Sequence, residues 1–232
     1  MSHTPLFADR THAGEELARV IHDVLTQQTI DSGIKPIPIV YALPRGGVPV
    51  AAPIARLLDC PLTIIVAKKI SYPENPELAI GAVTTSGNVL WTNQKLFRPK
   101  NEARSREVAL NKALDQAKSL EAQLIPACPQ FNAKDATLIL VDDGIATGMT
   151  IAVAATAMKA LSPAAVWLCT PVAPQKLLPW LEQWGDRTIV LQTPESFRSV
   201  SNFYREFPQV DTLEVLLYLQ QQKTIGGIDL CE

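Results

Sequence analysis

The segment from 137 to 150, Thr-Leu-Ile-Leu-Val-Asp-Asp-Gly-Ile-Ala-Thr-Gly-Met-Thr, constrains this chain more than any other. It opens with a β-rich, mostly apolar run, the pattern of a strand buried on both faces. Asp142 and Asp143 close that strand, and a turn of small residues leads straight into a helical pattern over 149–161. Such a turn lets backbone N–H groups converge at a helix N-terminus, where the dipole is positive. An anion, above all a phosphate, suits that point, with two carboxylates beside it as acceptors or metal contacts. A phosphorylated sugar chelated by a cation would satisfy both halves.

The rest of the chain repeats the alternation. Helical spacing over 13–28 puts Leu17, Ile21, Val24 and Leu25 on one face, and an apolar strand follows at 38–43. A helix is expected at 48–58, a strand at 62–67, and a β-hairpin at 78–91 turning at Gly87-Asn88. A long amphipathic helix at 102–124 and a linker at 126–134 precede the diagnostic strand. Downstream come a strand at 165–170, a helix at 174–184, a strand at 188–191 and a helix at 212–221. Alternating strands and helices predict an α/β fold with a parallel sheet and flanking helices. Sheets of that kind bind ligands at the carboxyl ends of their strands. The loops after Leu43, Ala67, Val141, Thr170 and Leu191 are therefore where the chemistry is expected.

Bulk properties narrow the classes. A chain of 232 residues fits one domain with an appendage better than two full domains. A net charge of −2 gives no electrostatic reason to expect nucleic acid or anionic membrane as partner. No apolar run has the length of a membrane span, and the opening Met-Ser-His-Thr-Pro does not read as a signal peptide. Cys60, Cys128, Cys169 and Cys231 lack paired metal-ligand spacing, and Cys60 and Cys169 read as reduced core thiols of a cytoplasmic protein. There is no Walker A loop, no Gly-x-Ser-x-Gly elbow and no zinc-type histidine spacing.

Two further constellations carry chemistry. At the end of the first strand, Pro44-Arg45-Gly46-Gly47 combines a charge with two glycines that let the backbone turn sharply and present N–H groups. After the second strand, Lys68 and Lys69 lead a polar loop that contains Pro73, Glu74, Pro76 and Glu77. Two lysines there suggest a mobile segment over an anionic site.

The 137–150 string resembles the ribose-phosphate motif of the type I phosphoribosyltransferases, which use 5-phosphoribosyl-1-pyrophosphate (PRPP). In that motif four apolar residues, two acids and a short turn end in Thr-Gly and a small or hydroxyl residue. Leu43–Val50 resembles the family's pyrophosphate loop, which often holds a non-proline cis peptide, by position Pro44–Arg45 here. The 68–77 segment resembles its flexible loop. The start Asp9-Arg10-Thr11-His12-Ala13-Gly14 and the segment Asn75–Ala82 resemble a subgroup of stand-alone members, so the likeness runs from Phe7 to about Val215.

The resemblance implies one phosphoribosyltransferase domain over 1–232, with a core at about 34–192 and a hood from about 1–15 and 193–232. It implies a Mg²⁺-dependent transfer from PRPP to a nitrogen acceptor, a nucleobase being the expected class. Gly144, Ile145, Ala146, Thr147, Gly148, Met149 and Thr150 would hold the 5-phosphate. Asp142 and Asp143 would meet the ribose hydroxyls directly or through the metal. Pro44, Arg45, Gly46, Gly47, Lys68 and Lys69 would take the pyrophosphate, with Arg45 and Lys69 acting on the leaving charge. Phe197, Phe203 and Tyr204 are acceptor-stacking candidates, with Phe7 or Arg10 opposite. The hypoxanthine-guanine enzymes carry an Asp where this chain has Ala146, a side chain that can neither give nor take a proton. A PRPP-sensing module and a PRPP hydrolase stay open as alternatives. Members of the family commonly pair as dimers, and the helix at 102–124 suits either an interface or internal packing.

Overall fold

The computed structural model describes residues 5–72, 74–92 and 102–225. Cys231, Pro73 and the outer parts of the two terminal segments lie outside that range. The elements run in the order α1 (Arg10–Ser32), β1 (Pro38–Ala42), α2 (Gly47–Leu58), β2 (Leu62–Ile64), β3 (Ala67–Tyr72), β4 (Asn75–Thr84) and β5 (Val89–Trp91). They continue with α3 (Glu102–Leu124), β6 (Thr137–Val141), α4 (Met149–Lys159), β7 (Ala165–Val172), α5 (Leu178–Leu181), β8 (Arg187–Gln192) and α6 (Thr212–Ile225).

Five strands form a parallel sheet in the order β2-β1-β6-β7-β8. β6 sits at its centre, paired with β1 through Tyr41 and Leu140 and with β7 through Leu140 and Leu168. All five of its residues are buried, as its apolar run requires. α1, α2 and α6 cover one face, where Leu17, Ile54, Val141 and Val215 share a core. α4 and α5 cover the other, where Leu140, Ile151, Met158 and Leu181 pack. Cys169 lies in the first of these cores and Cys60 packs against it; burial pushes the Cys60 thiol up to about 12 and Cys169 higher still. Both fit reduced packing thiols.

The α/β parallel architecture agrees with the sequence expectation, and four differences have local causes. First, helix α1 starts at Arg10 because the Asp9 carboxylate caps it, accepting the His12 N–H at 2.8 Å. Second, the strand expected at 62–67 is two strands. β2 ends at Ile64, and β3 begins at Ala67 in a separate antiparallel sheet, β3-β4-β5. Third, the polar segment after Lys69 is itself strand, with β3 and β4 paired from Ala67–Thr84 out to Tyr72–Asn75. Fourth, the helix expected at 174–184 is a 3₁₀ turn, Gln175–Leu177, followed by the single turn of α5. Pro179 has no N–H to donate to Gln175, which removes one bond of a continuous helix and suits the first turn of α5, where it stands.

The segment before α1 meets the segment before α6. Phe7 bridges Tyr204, Arg205 donates to the Phe7 carbonyl at 2.9 Å, and Glu206 donates to that of Ala8 at 2.9 Å.

Candidate active site

The strand order fixes where a ligand can enter. From β1 the chain crosses through α2 to β2 on one side, whereas β6, β7 and β8 extend on the other. The order reverses between β1 and β6, and helices that leave those strands cover opposite faces of the sheet. Sheets of this order take ligands outside the carboxyl ends of such strands; the loop 43–47 forms one wall of that position and the loop 142–148 the other.

The second loop ends on the N-terminus of α4. Ala152 donates the first helical bond, to Gly148 O at 2.9 Å, which leaves the amides of 148–151 without intrahelical partners. Ala146 and Thr147 are exposed on the loop. Ile145 is not: its side chain is buried, and its N–H donates to the Val172 carbonyl at 2.9 Å. Its amide is thereby withdrawn from the phosphate-holding set expected from sequence. Met149 packs in the second core through its side chain, and Thr150 stands half-buried in the first turn.

The glycines of this loop have an explanation within the chain. Gly148 sits at φ 77°, and a Cβ there would overlap the Trp180 ring; at Gly144 it would overlap Val200. Close packing, rather than a ligand, is what excludes side chains at those two positions.

The acid pair is asymmetric. Asp142 Oδ1 accepts the N–H of Asp143 at 2.9 Å. Burial, and next the charge of Asp143, push the Asp142 carboxyl well above the ordinary aspartate value. Asp143 Oδ2 instead accepts from Arg10 Nε at 2.8 Å, in a contact whose side chains are 16% and 10% exposed. Burial raises Asp143 as well, opposed by the Arg10 hydrogen bond and charge. The Tyr204 hydroxyl closes over the same residue, donating to its backbone carbonyl at 2.6 Å.

The opposite wall is cationic. The Pro44–Arg45 peptide is cis. Gly46 abuts the acid pair so closely that a Cβ would overlap Asp143 Oδ2, and at Gly47 a Cβ would lie 2.7 Å from Val141 O. Lys68 and Arg45 line one cavity of about 640 Å³ together with Asp115, Gln116 and Ser119 of α3. Burial and then the Arg45 guanidinium hold the Lys68 ammonium below its usual range. Neighbouring residues of a strand point to opposite faces, so Lys69 projects away from Lys68. It is exposed, and its charge reaches Asp142. The loop after β1 and the loop after β6 thus adjoin, with Lys68 beside Arg45 on the α3 side and Lys69 on the side of Asp142.

The aromatic candidates behave differently. Phe203 and Tyr204 are 5% and 4% exposed, in a cluster with Phe7, Ala13 and Val172. Phe197 is half-buried against Phe203, ring centroids 5.2 Å apart. Phe203 and Tyr204 therefore pack the joint between the segments before α1 and α6 and offer no open ring face for stacking. Sequence reasoning also missed an aromatic cavity of about 470 Å³ beside Thr147, lined by Trp91, Trp180 and Trp184. Trp180 and Trp184 lie four positions apart, in and just after α5, with ring centroids 5.5 Å apart, whereas Trp91 joins them from β5, so no local motif announces the cavity.

Comparison with known proteins gives this geometry a family. Two Mycobacterium tuberculosis relatives, from strains CDC 1551 / Oshkosh and ATCC 25618 / H37Rv, are provisionally named phosphoribosyl transferases. Each is 29% identical over 216 residues, 93% of this chain and 47% of the relative. The chain therefore spans about half the length of these relatives. The crystal structure of TT1426 from Thermus thermophilus superposes with a TM-score of 0.72 at 28% identity, covering 93% of this chain and 98% of that one. The family model described as phosphoribosyl transferase domain matches residues 9–186. With that match over most of its length, the chain belongs to the phosphoribosyl transferase domain family.

Proposed function

We propose that this chain transfers the 5-phosphoribosyl group of PRPP to a nitrogen acceptor, of which a nucleobase is the expected class, with release of pyrophosphate. The observation that carries this reading is the meeting of the loops after β1 and β6, where the strand order reverses. That position has an anion-ready helix N-terminus and two carboxylates on one wall, and Arg45 with Lys68 on the other.

The amides that open α4, with the exposed Thr147 hydroxyl, bind the 5-phosphate. The Asp142–Asp143 pair meets the ribose hydroxyls, and its negative charge favours the oxocarbenium character that grows at C1. The C1–O bond to pyrophosphate breaks, and its electron pair leaves with the pyrophosphate. Arg45, Lys68 and the amides of Gly46 and Gly47 stabilise that charge. The acceptor nitrogen forms the new C1–N bond from the opposite face and gives its proton to solvent. Lys69, exposed at the rim and close to Asp142, is the second cation available to the leaving group.

The crowding of Asp142 by its neighbour suits a divalent cation. The protein supplies two carboxylates, so oxygens of the ligand would complete its coordination. Mg²⁺ held there would neutralise charge on the departing pyrophosphate. Ala146 has no group for proton transfer, so a 6-oxopurine would receive no help from that position.

The test is pyrophosphate release from PRPP and Mg²⁺ across a panel of purine and pyrimidine bases with a base-free control. Release that depends on one base is the expected result and names the acceptor. Release without any base would point to a hydrolase. Silence with PRPP still bound by calorimetry would replace transfer by sensing.

A further inference from the structure

The motif that opens the domain, Asp9 to Gly14, has no part in the phosphate or pyrophosphate walls, yet each of its marked residues has a physical task. Asp9 caps α1, Ala13 is fully buried, and Gly14 lets α1 approach α2 so closely that a Cβ would overlap the Val50 carbonyl. Arg10 is the exception to this packing role. It is 8% exposed, so its charge is removed from water. Its Nε donates to Asp143 Oδ2 at 2.8 Å, its Nη1 to the Pro208 carbonyl at 2.8 Å, and its guanidinium lies 3.6 Å from the centroid of the Phe207 ring. Phe207 stacks in turn on Tyr204, 4.8 Å between centroids, and the Tyr204 hydroxyl donates to the Asp143 carbonyl. One residue of the phosphate loop is thus gripped at its side chain and at its backbone by groups from the start of α1 and from the segment before α6.

We propose that Arg10 is a positioning residue: it anchors Asp143 and so orders the phosphate loop, while Asp142, which Arg10 does not hold, makes the closer approach to the ribose hydroxyls. The inference rests on the phosphoribosyl transfer reading and divides the labour within it. Asp143 has its Oδ2 bonded to a buried guanidinium and its backbone carbonyl to Tyr204. Asp142 Oδ1 accepts its own neighbour's N–H, and among the described residues no cation forms an ion pair with the Asp142 carboxylate. A fork with one prong on Asp143 and one on Pro208 fixes an angle between two segments, which a flexible ammonium cannot do.

A double-mutant cycle tests this. Arg10→Met, Asp143→Asn and the pair together are compared with wild type at a temperature where all are folded, by kcat, KM for PRPP and Tm. If the two residues act as one unit, either single variant raises KM for PRPP roughly tenfold or more, and Arg10→Met lowers kcat less than Asp142→Asn does. The double variant is then no worse than the worse single. Arg10→Lys recovers part of the loss; it also replaces Arg10→Met in the cycle should that variant not fold. Asp142→Asn, by contrast, lowers kcat. Additive effects of the two changes, or a kcat loss in Arg10→Met equal to that of Asp142→Asn, would overturn the inference alone. A wild-type protein that neither binds nor turns over PRPP would overturn the transfer reading and the inference with it.

Discussion

Asp142 and Asp143 carry the same charge one residue apart, and the fold gives them different company. Asp142 is crowded by Asp143 and by burial, both of which raise its pKa. Such a group holds its proton longer in the folded chain than in the unfolded one. Stability therefore falls as pH rises from the ordinary value of 3.8 toward the raised one, and stays lower at neutral pH. Asp142→Asn removes that cost while its Oδ1 still accepts from residue 143. The expected result is a higher Tm for the ligand-free protein at pH 7 and turnover reduced on the order of 100-fold; thermal melts and steady-state kinetics check the two halves. A variant that loses stability along with activity would show a packing role instead. The acid pair was legible because strand, acids and turn are contiguous. The Arg10 contact was not, because 133 positions separate it from Asp143 and only the closed chain brings them together. Phe203 and Tyr204 misled for a related reason: an aromatic run near a terminus reads alike whether its rings stack on a ligand or on Phe7.

The hairpin of β3 and β4 agrees with the β-hairpin expected of the flexible loop, but its pairing starts at Ala67, ahead of the 78–91 bounds read from sequence. Two lysines and two prolines suggested a mobile loop, but Ile70 and Tyr72 alternate with polar residues and bury against α3, and that period of two makes a strand. The strand separates the lysines by face, with Lys68 inward beside Arg45. Its pKa is lowered from 10.5. The charged amine therefore costs stability below that lowered value, and the cost is relieved as pH climbs through it toward 10.5. Binding of an anion has the opposite need, since only the charged amine attracts it. Lys68→Met is expected to raise Tm at pH 7 and weaken PRPP binding by roughly tenfold. It should also flatten the loss of PRPP affinity seen in wild type at alkaline pH; calorimetry across pH reads both effects. At the other broken element, the apolar positions of 174–184 do recur at helical spacing. The missing N–H at Pro179 weakens that pattern, and the segment instead forms a 3₁₀ turn and one helical turn, with Trp180 packed over Gly148.

At the scale of the molecule, the parallel sheet followed from one buried strand and the alternation around it. Strand order did not, since pairing β1 with both β2 and β6 is a choice made by crossovers rather than by any strand's residues. That choice brings the 43–47 and 142–148 loops together, and the antiparallel sheet β3-β4-β5 adds the lysines at their side. No helix among the described residues is long and apolar enough to cross a membrane. The measurement that bears most directly on phosphoribosyl transfer is a mass balance on the accepting reaction. PRPP, Mg²⁺ and the base selected by the panel are incubated with the protein, and nucleotide and pyrophosphate are both quantified. Transfer gives one ribonucleotide 5-phosphate per pyrophosphate, with the C1–N bond on the face opposite the departed group. Ribose 5-phosphate in place of nucleotide, or no pyrophosphate with any acceptor, would contradict it.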